Sequence, residues 1–317
     1  VNYCLFVSYF PHLLAGPIIH YKDMLPQFTD PSKKRIDWEN IGRGLVLFSI
    51  GLFKKVIIAD TFAKWAGPGF WADYLNMMQA WTAVFSYTFQ IYFDFSGYTD
   101  MALGLSQMLN IKLPQNFNSP YQANSIIDFW RRWHITLSNF LRDYLYIPLG
   151  GNRKGKFRRY INLIITMLLG GLWHGASWTF VFWGALHGLA LTVNHLWRDF
   201  GLKMHWLAGR ILTWGVVMAG WVFFRADSFQ QAFIIFRGMF NWRDLGWATA
   251  KPAMMPDGRI EPVVLAAFLV LVSVQPNSTE WAAKFKPNWK WAVAVGFLLL
   301  ISILNFTKTS SFLYYQF

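Results

Sequence analysis

The sequence predicts an all-α, polytopic integral membrane protein, and three observations carry that prediction. The 317-residue chain is 55% hydrophobic and 19% aromatic, with 18 Trp, while only 14% is charged, a composition outside the soluble range. Mean hydropathy is positive, +0.27. The apolar residues gather in runs, and crossing the roughly 30 Å hydrocarbon core takes about 20 helical residues. A net charge of +13 lies between these runs rather than on one soluble face. That is the pattern of cytoplasmic loops, and it argues against nucleic-acid binding. The single Cys4 excludes an internal disulfide framework and any multi-cysteine metal site.

Taken in order, VNYCLFVSYFPHLLAGPII (1–19) is interrupted by Pro11, Gly16 and Pro17, which predicts a broken or re-entrant segment. A polar loop, 20–40, is expected next. The run 41–65 is divided by Lys54 and Lys55 and is expected to lie partly in the interface. From Ala80 to Leu109 the only charges are Asp94 and Asp100, and a helix there would run about 45 Å. It must tilt, break at Gly97 or Gly104, or protrude. Further spans are expected at 160–197, 207–224, 262–275 and 291–306. Neither a repeat nor a low-complexity linker divides the chain, so 1–317 reads as one domain. It begins at Val1, already inside an apolar stretch, which suggests that preceding residues are missing.

The stretch 160–197 holds 38 residues without Lys, Arg, Asp or Glu, about 57 Å as one helix. It must turn back. Gly170, Gly171 and Gly175 best permit a break, and His174 sits among them, between Trp173 and Ala176-Ser177-Trp178. Between Arg131 and Arg159 eight basic residues face one acidic residue, Asp143, which places this segment on the cytoplasmic side. Within 124–159, residues 125–141 predict one amphipathic helix, capped by Ser125 with Asp128 three residues on, followed by a basic loop. His134 projects near the apolar edge of that helix.

Imidazole accepts and returns a proton near neutral pH, so His174 and His134 are candidates for activating a hydroxyl or thiol. A histidine that only hydrogen-bonds between helices is the alternative for both. His187 and His195 lie eight residues apart with no carboxylate or cysteine companion, so packing is favoured over metal binding. The sequence has no HExxH, no GxSxG and no phosphate-cradling glycine loop. Asp94 and Asp100 in YFDFSGYTD either anchor helices or orient a histidine across a cavity. IPLGGNRKGKFRR reads as a turn with a solvated charge run that can also pair phosphates.

FPHLLAGPIIHYKDMLPQF, YFDFSGYTDMALGLSQMLNIKLPQNFNSPY, FWRRWHITLSNFLRDYLYIPLGGNRKG and NLIITMLLGGLWHGASWTFVFWGALHG together closely resemble the membrane-bound O-acyltransferase family. The nearest branch is that of the bacterial alginate and peptidoglycan O-acetyltransferases, and the ending FLYYQF is similar to that branch too. The resemblance implies a bundle of tilted helices around a central funnel, in the inner membrane, with preceding spans missing from this chain. It implies that the WHG histidine, His174, is the essential catalytic residue and the RRWH histidine, His134, the second one. It also implies acetyl-CoA as donor with no tightly bound cofactor, a cell-envelope polysaccharide acceptor, and a periplasmic SGNH-type acetyltransferase partner. Arg131, Arg132, Trp133, Arg153 and Lys154 are then expected at the donor, while Trp173 and Trp178, with Trp133, exclude water. Two other classes stay open: a transporter, and a non-catalytic scaffold for a periplasmic transferase.

Overall fold

A computed structural model describes residues 2–13, 16–245, 260–306 and 312–313, and every regular element among them is helical. The first apolar run is broken as expected: α1 (Asn2–Ser8) gives way to a short 3-10 turn, Phe10–His12, with Pro11 near its start. The expected polar loop is instead partly helical, α2 (Tyr21–Thr29). Its buried Met24 packs with Tyr9, Ala102, Ile111 and Leu113, and that burial stabilises a turn that polarity alone does not reveal.

Helix α3 (Trp38–Phe53) starts where the Asp37 side chain accepts from Glu39 N and Asn40 N, both at 3.0 Å. It ends at Phe53, directly before the lysine pair, which divides the 41–65 run as expected. A π-helical turn, Lys54–Ala59, carries the chain straight into α4 (Asp60–Phe70), and both ammonium groups meet carboxylates inside the bundle. Helix α5 (Met77–Met108) runs 32 residues, about 48 Å, from a capping box made by Asn76 and Gln79. Gly97 does not break it. A Cβ there would sit 2.7 Å from Gly51 O, so the glycine lets α3 and α5 touch by backbone.

The single amphipathic helix expected over 125–141 is two helices, α6 (Ile126–Trp130) and α7 (Ile135–Leu141). The Ser125 cap is as read, accepting from Asp128 N at 3.1 Å. Hydrophobic spacing continues through 131–134, but the backbone there turns to bond with Asn116 and Asn118, contacts that periodicity cannot show. After a turn with Gly150 and Gly151 at positive φ, α8 (Gly155–His174) and α9 (Trp178–Asp199) form a hairpin. The reversal in 160–197 thus falls just after His174. Gly175 joins that turn, whereas Gly170 and Gly171 stay helical. A Cβ on Gly171 would collide with Phe180 O, so this glycine sets how closely the hairpin closes.

The chain continues through α10 (Trp206–Arg225), α11 (Phe229–Met239), α12 (Ile260–Val274), α13 (Ser278–Ala283) and α14 (Trp289–Leu304). Among the described residues, Trp206–Arg225 is the one helix both long and apolar enough to cross a membrane by itself. Ile260–Val274 and Trp289–Leu304 are apolar but shorter. The outward faces of the other expected spans are nonetheless apolar: Leu172, Leu189, Val193, Val263, Phe297 and Ile303 are exposed, as Ile211 and Leu212 are on α10. The core runs between α5, α6, α9 and α10 and is dominated by aromatic rings.

Candidate functional site

His174 ends α8 and is buried to 9% exposure. Its ring lies edge-on to Trp183 (5.2 Å between centroids), Phe224 (5.1 Å) and Trp173 (5.0 Å). Two helices therefore supply the walls, α9 through Trp183 and α10 through Phe224, and the hairpin brings the first against α8. The cage differs from the sequence-based expectation. Trp178 is 76% exposed and Trp173 is 55% exposed, so Trp178 walls nothing and Trp173 only edges the ring. Trp183 and Phe224 enclose His174 instead. Trp183 sits on the same α9 face as His187, four residues on, a spacing that marks it in retrospect.

His134 occupies the break between α6 and α7 with left-handed backbone, φ 42°, a conformation costly for a residue with a Cβ. Asn116, fully buried, holds it there. Asn116 O accepts from Ile135 N (2.9 Å), while its Oδ1 accepts from Thr136 N (3.2 Å) and Thr136 Oγ1 (3.0 Å) and faces His134 Nδ1 at 3.0 Å. Because a backbone N–H can only donate, the atom facing Thr136 N is the amide oxygen. Nδ1 of neutral His134 therefore carries the proton, and Nε2 is the basic nitrogen. Sequence reasoning missed Asn116, although it stands in the quoted PQNFNSPY.

The two histidines share one aromatic neighbourhood. From His174 the contacts pass to Trp183, then to Trp221 (6.4 Å), then to Trp133 (4.8 Å), which precedes His134 in the chain. On its other side His134 packs edge-on against Phe95 at 4.8 Å. Trp133 is 4% exposed and lies among Phe117, Phe129 and Trp221. Its place is the core around the histidines, not the surface where a donor would first land. His187 is fully buried, and its Nδ1 accepts from Trp130 Nε1 at 3.3 Å.

The other sequence-derived candidates divide between surface and interior. Arg131, Arg153 and Lys154 are exposed, whereas Arg132 pairs with Asp128 at 2.8 Å. In the turn region Arg142 and Asp143 form a two-pronged pair, 2.7 and 3.1 Å, and the guanidinium's hydrogen bonds hold the Asp143 carboxyl below its ordinary range. Asp94 accepts from Lys55 Nζ at 2.7 Å and from Leu313 N at 3.0 Å. Asp100 accepts from Lys54 Nζ at 2.7 Å and Ser278 Oγ at 2.6 Å. Asp94 thus ties α5 to the π-helical turn and to residue 313, and Asp100 ties it to the same turn and to α13. Among the described residues no group of His, Cys, Asp and Glu is arranged to hold a metal ion. The last four residues of the FLYYQF ending, 314–317, lie outside the described residues.

Caged imidazoles with one basic nitrogen defined, shielded from water, suit proton transfer to or from an acyl-transfer nucleophile. Comparison with known proteins points the same way. The profile of a family described as MBOAT, membrane-bound O-acyltransferase, matches residues 1–230. A peptidoglycan O-acetyltransferase of Helicobacter pylori is 53% identical over 244 residues, covering 75% of this chain and 46% of the relative. A protein of Pseudomonas putida named "Probable alginate O-acetylase AlgI" is 38% identical across 100% of this chain and 69% of its own length. A teichoic acid D-alanyltransferase of Streptococcus thermophilus is 28% identical, covering 78% of this chain and 63% of the relative. The chain spans about half the length of several curated relatives it matches.

Proposed function

This chain belongs to the membrane-bound O-acyltransferase family, and from that premise we propose that it forms the catalytic part of an enzyme that O-acetylates a cell-envelope polysaccharide. The single observation that carries the reading is the placement of His174 and His134 in one water-excluding aromatic enclosure. The donor is an acetyl thioester, acetyl-CoA, arriving on the cytoplasmic side, where Arg131, Arg153 and Lys154 give a basic approach. The apolar exterior is the lipid contact of a multi-pass protein in the bacterial inner membrane, and the helices surround a funnel that leads to the enclosure. The acceptor is alginate, peptidoglycan or a similar polymer, reached with a periplasmic SGNH-type acetyltransferase as partner.

Within the enclosure His174 takes the proton of the attacking hydroxyl as its oxygen bonds the acetyl carbonyl carbon. The carbon–sulfur bond then breaks, and the departing thiolate takes the proton back from the imidazolium. His134 shares that proton through Nε2, the nitrogen that Asn116 leaves basic. A rigid cage matters because a misplaced base loses most of its effect. Replacing His174 with Ala in the full-length protein is expected to lower polymer acetylation by about a hundredfold or more, with membrane insertion unchanged. Acetate released from purified envelope polymer measures the first, and protease accessibility in membrane vesicles the second. Retained acetylation would refute the catalytic assignment, and flux without acyl transfer would show a transporter.

A further inference from the structure

On the outside of the bundle α9 and α10 leave a slot of about 330 Å³ between them, within the range of small-molecule sites. One end is apolar, lined by Leu186 and Leu189 of α9 with Leu212 and Val216 of α10. At the other end Asn124 and Asn194 join the lining. From Asn194 to Leu186 the slot runs about 12 Å at helical rise, close to one leaflet's half of the roughly 30 Å hydrocarbon core. Spread over that length, the volume makes a passage too narrow for a helix, itself about 10 Å across.

The polar end is cationic, and its main cation is held in place. Arg210 donates from Nε to Asn124 Oδ1 at 3.2 Å and from Nη2 to Gln122 O at 3.0 Å, while its guanidinium lies over the Trp206 ring at 5.4 Å. Three of its five N–H groups are left without a partner among the described residues. The acids nearby are taken: Asp128 pairs with Arg132 at 2.8 Å, and Asp199 with Arg159 and Tyr160. Arg198 and Lys203, exposed on the segment that joins α9 to α10, add charge without an ion pair among the described residues. Inside the slot Asn194 Oδ1 is buried, and no described residue donates to it. The slot therefore offers cationic donors and one acceptor at its mouth, and hydrocarbon beyond.

We propose that this slot binds one anionic phospholipid of the cytoplasm-facing leaflet, of the phosphatidylglycerol type. Its phosphate sits on Arg210, a headgroup hydroxyl donates to Asn194 Oδ1, and one acyl chain lies between α9 and α10. A guanidinium pairs a phosphate through parallel N–H bonds, and basic pockets between membrane helices on the cytoplasmic side suit such headgroups. A zwitterionic lipid brings an ammonium that Arg198 and Lys203 repel. The Arg159–Asp199 pair ties this mouth to the basic 131–159 region, the side that the charge pattern assigns to the cytoplasm. The consequence reaches the histidine: α9 carries Trp183 and α10 carries Phe224, so a lipid that bridges these helices steadies both walls around His174. The assignment rests on the membrane reading of the apolar exterior and not on acyl transfer.

The full-length protein in detergent is examined by native mass spectrometry with phosphatidylglycerol and phosphatidylcholine added in equal amounts. One phosphatidylglycerol per chain is expected, retained about tenfold better than phosphatidylcholine, the scale of one charge-assisted contact. Arg210→Glu should abolish that preference. Because Arg210 also holds Asn124 and Gln122, Val193→Trp is the second variant. At a 60% exposed position in the lining it fills the slot without touching a charge, and should weaken retention about tenfold by excluding the chain. Equal retention of the two lipids, or a preference unchanged in both variants, would overturn the assignment. Loss in Arg210→Glu with full retention in Val193→Trp would reduce it to a headgroup contact and overturn the slot. Displacement by an equal concentration of glycerol 3-phosphate would show a soluble-anion site, and a wild-type protein without bound phosphatidylglycerol would give the slot to another part of the full-length chain; each overturns it too. A full-length protein that alkali washes from membranes would overturn the membrane reading itself.

Discussion

Two buried polar clusters in this molecule are built on opposite principles. Between α3, α4 and α5, Lys55 bridges Asp60 (2.9 Å) and Asp94 (2.7 Å), while Lys54 joins Asp100 and Ser278, at 2.7 and 2.6 Å. Each charge meets an opposite charge inside the bundle. In the aromatic enclosure the polar atoms belong to rings, and some are left over: Trp183 Nε1 and His187 Nε2 are buried without a hydrogen-bond partner among the described residues. Since Nδ1 of His187 accepts from Trp130, its Nε2 carries a hydrogen that no described residue receives. Such groups cost about 1–3 kcal/mol each. Matched polar groups fasten helices, whereas unmatched ones stand where a ligand or water can still use them.

The largest expected effect breaks the matched cluster. Lys55→Ala leaves Asp60 and Asp94 facing each other in the interior, and removing one partner of a buried pair costs about 3–5 kcal/mol. Thermal unfolding in detergent should show a much lower midpoint, and an unchanged midpoint would mean that water reaches these carboxylates. The next change is in the other cluster. Asn116→Ala frees the His134 ring and its left-handed backbone from their tether, and polymer acetylation is expected to fall at least about tenfold, as for lost ligand-orienting contacts elsewhere. Full activity would remove Asn116 from the site. The smallest effect separates two tryptophans in one motif. Trp178→Ala, at a 76% exposed position, should change stability by no more than about 0.5 kcal/mol, whereas Trp183→Ala should cost about 3–5 kcal/mol through the cavity it opens. Equal losses would restore Trp178 to the wall around His174.

Much of the helical layout was legible along the chain, for reasons of length and charge. A 38-residue uncharged run cannot stay straight in a bilayer, and the hairpin reverses directly after His174 as that argument requires. Glycines were the harder reading, because one residue type serves two purposes. Gly175 turns the chain, while Gly171 stays helical and admits Phe180 O, a choice that depends on what lies opposite. The lysine pair shows the same limit. Lys54 and Lys55 interrupt the α-helix as their charge suggests, but that they meet Asp94 and Asp100, some 40 residues away in sequence, is a contact the local run does not show.

By itself the sequence determined that the chain is helical, lipid-compatible and equipped with two histidines in ordered motifs, because composition, run length and spacing are local properties. Only the tertiary structure decided which nitrogen of His134 is basic and what encloses both rings. Asn116 sets the tautomer of His134 from 18 residues away, and Phe224 closes on His174 from another helix. Those are contacts between distant segments, and no local periodicity encodes them.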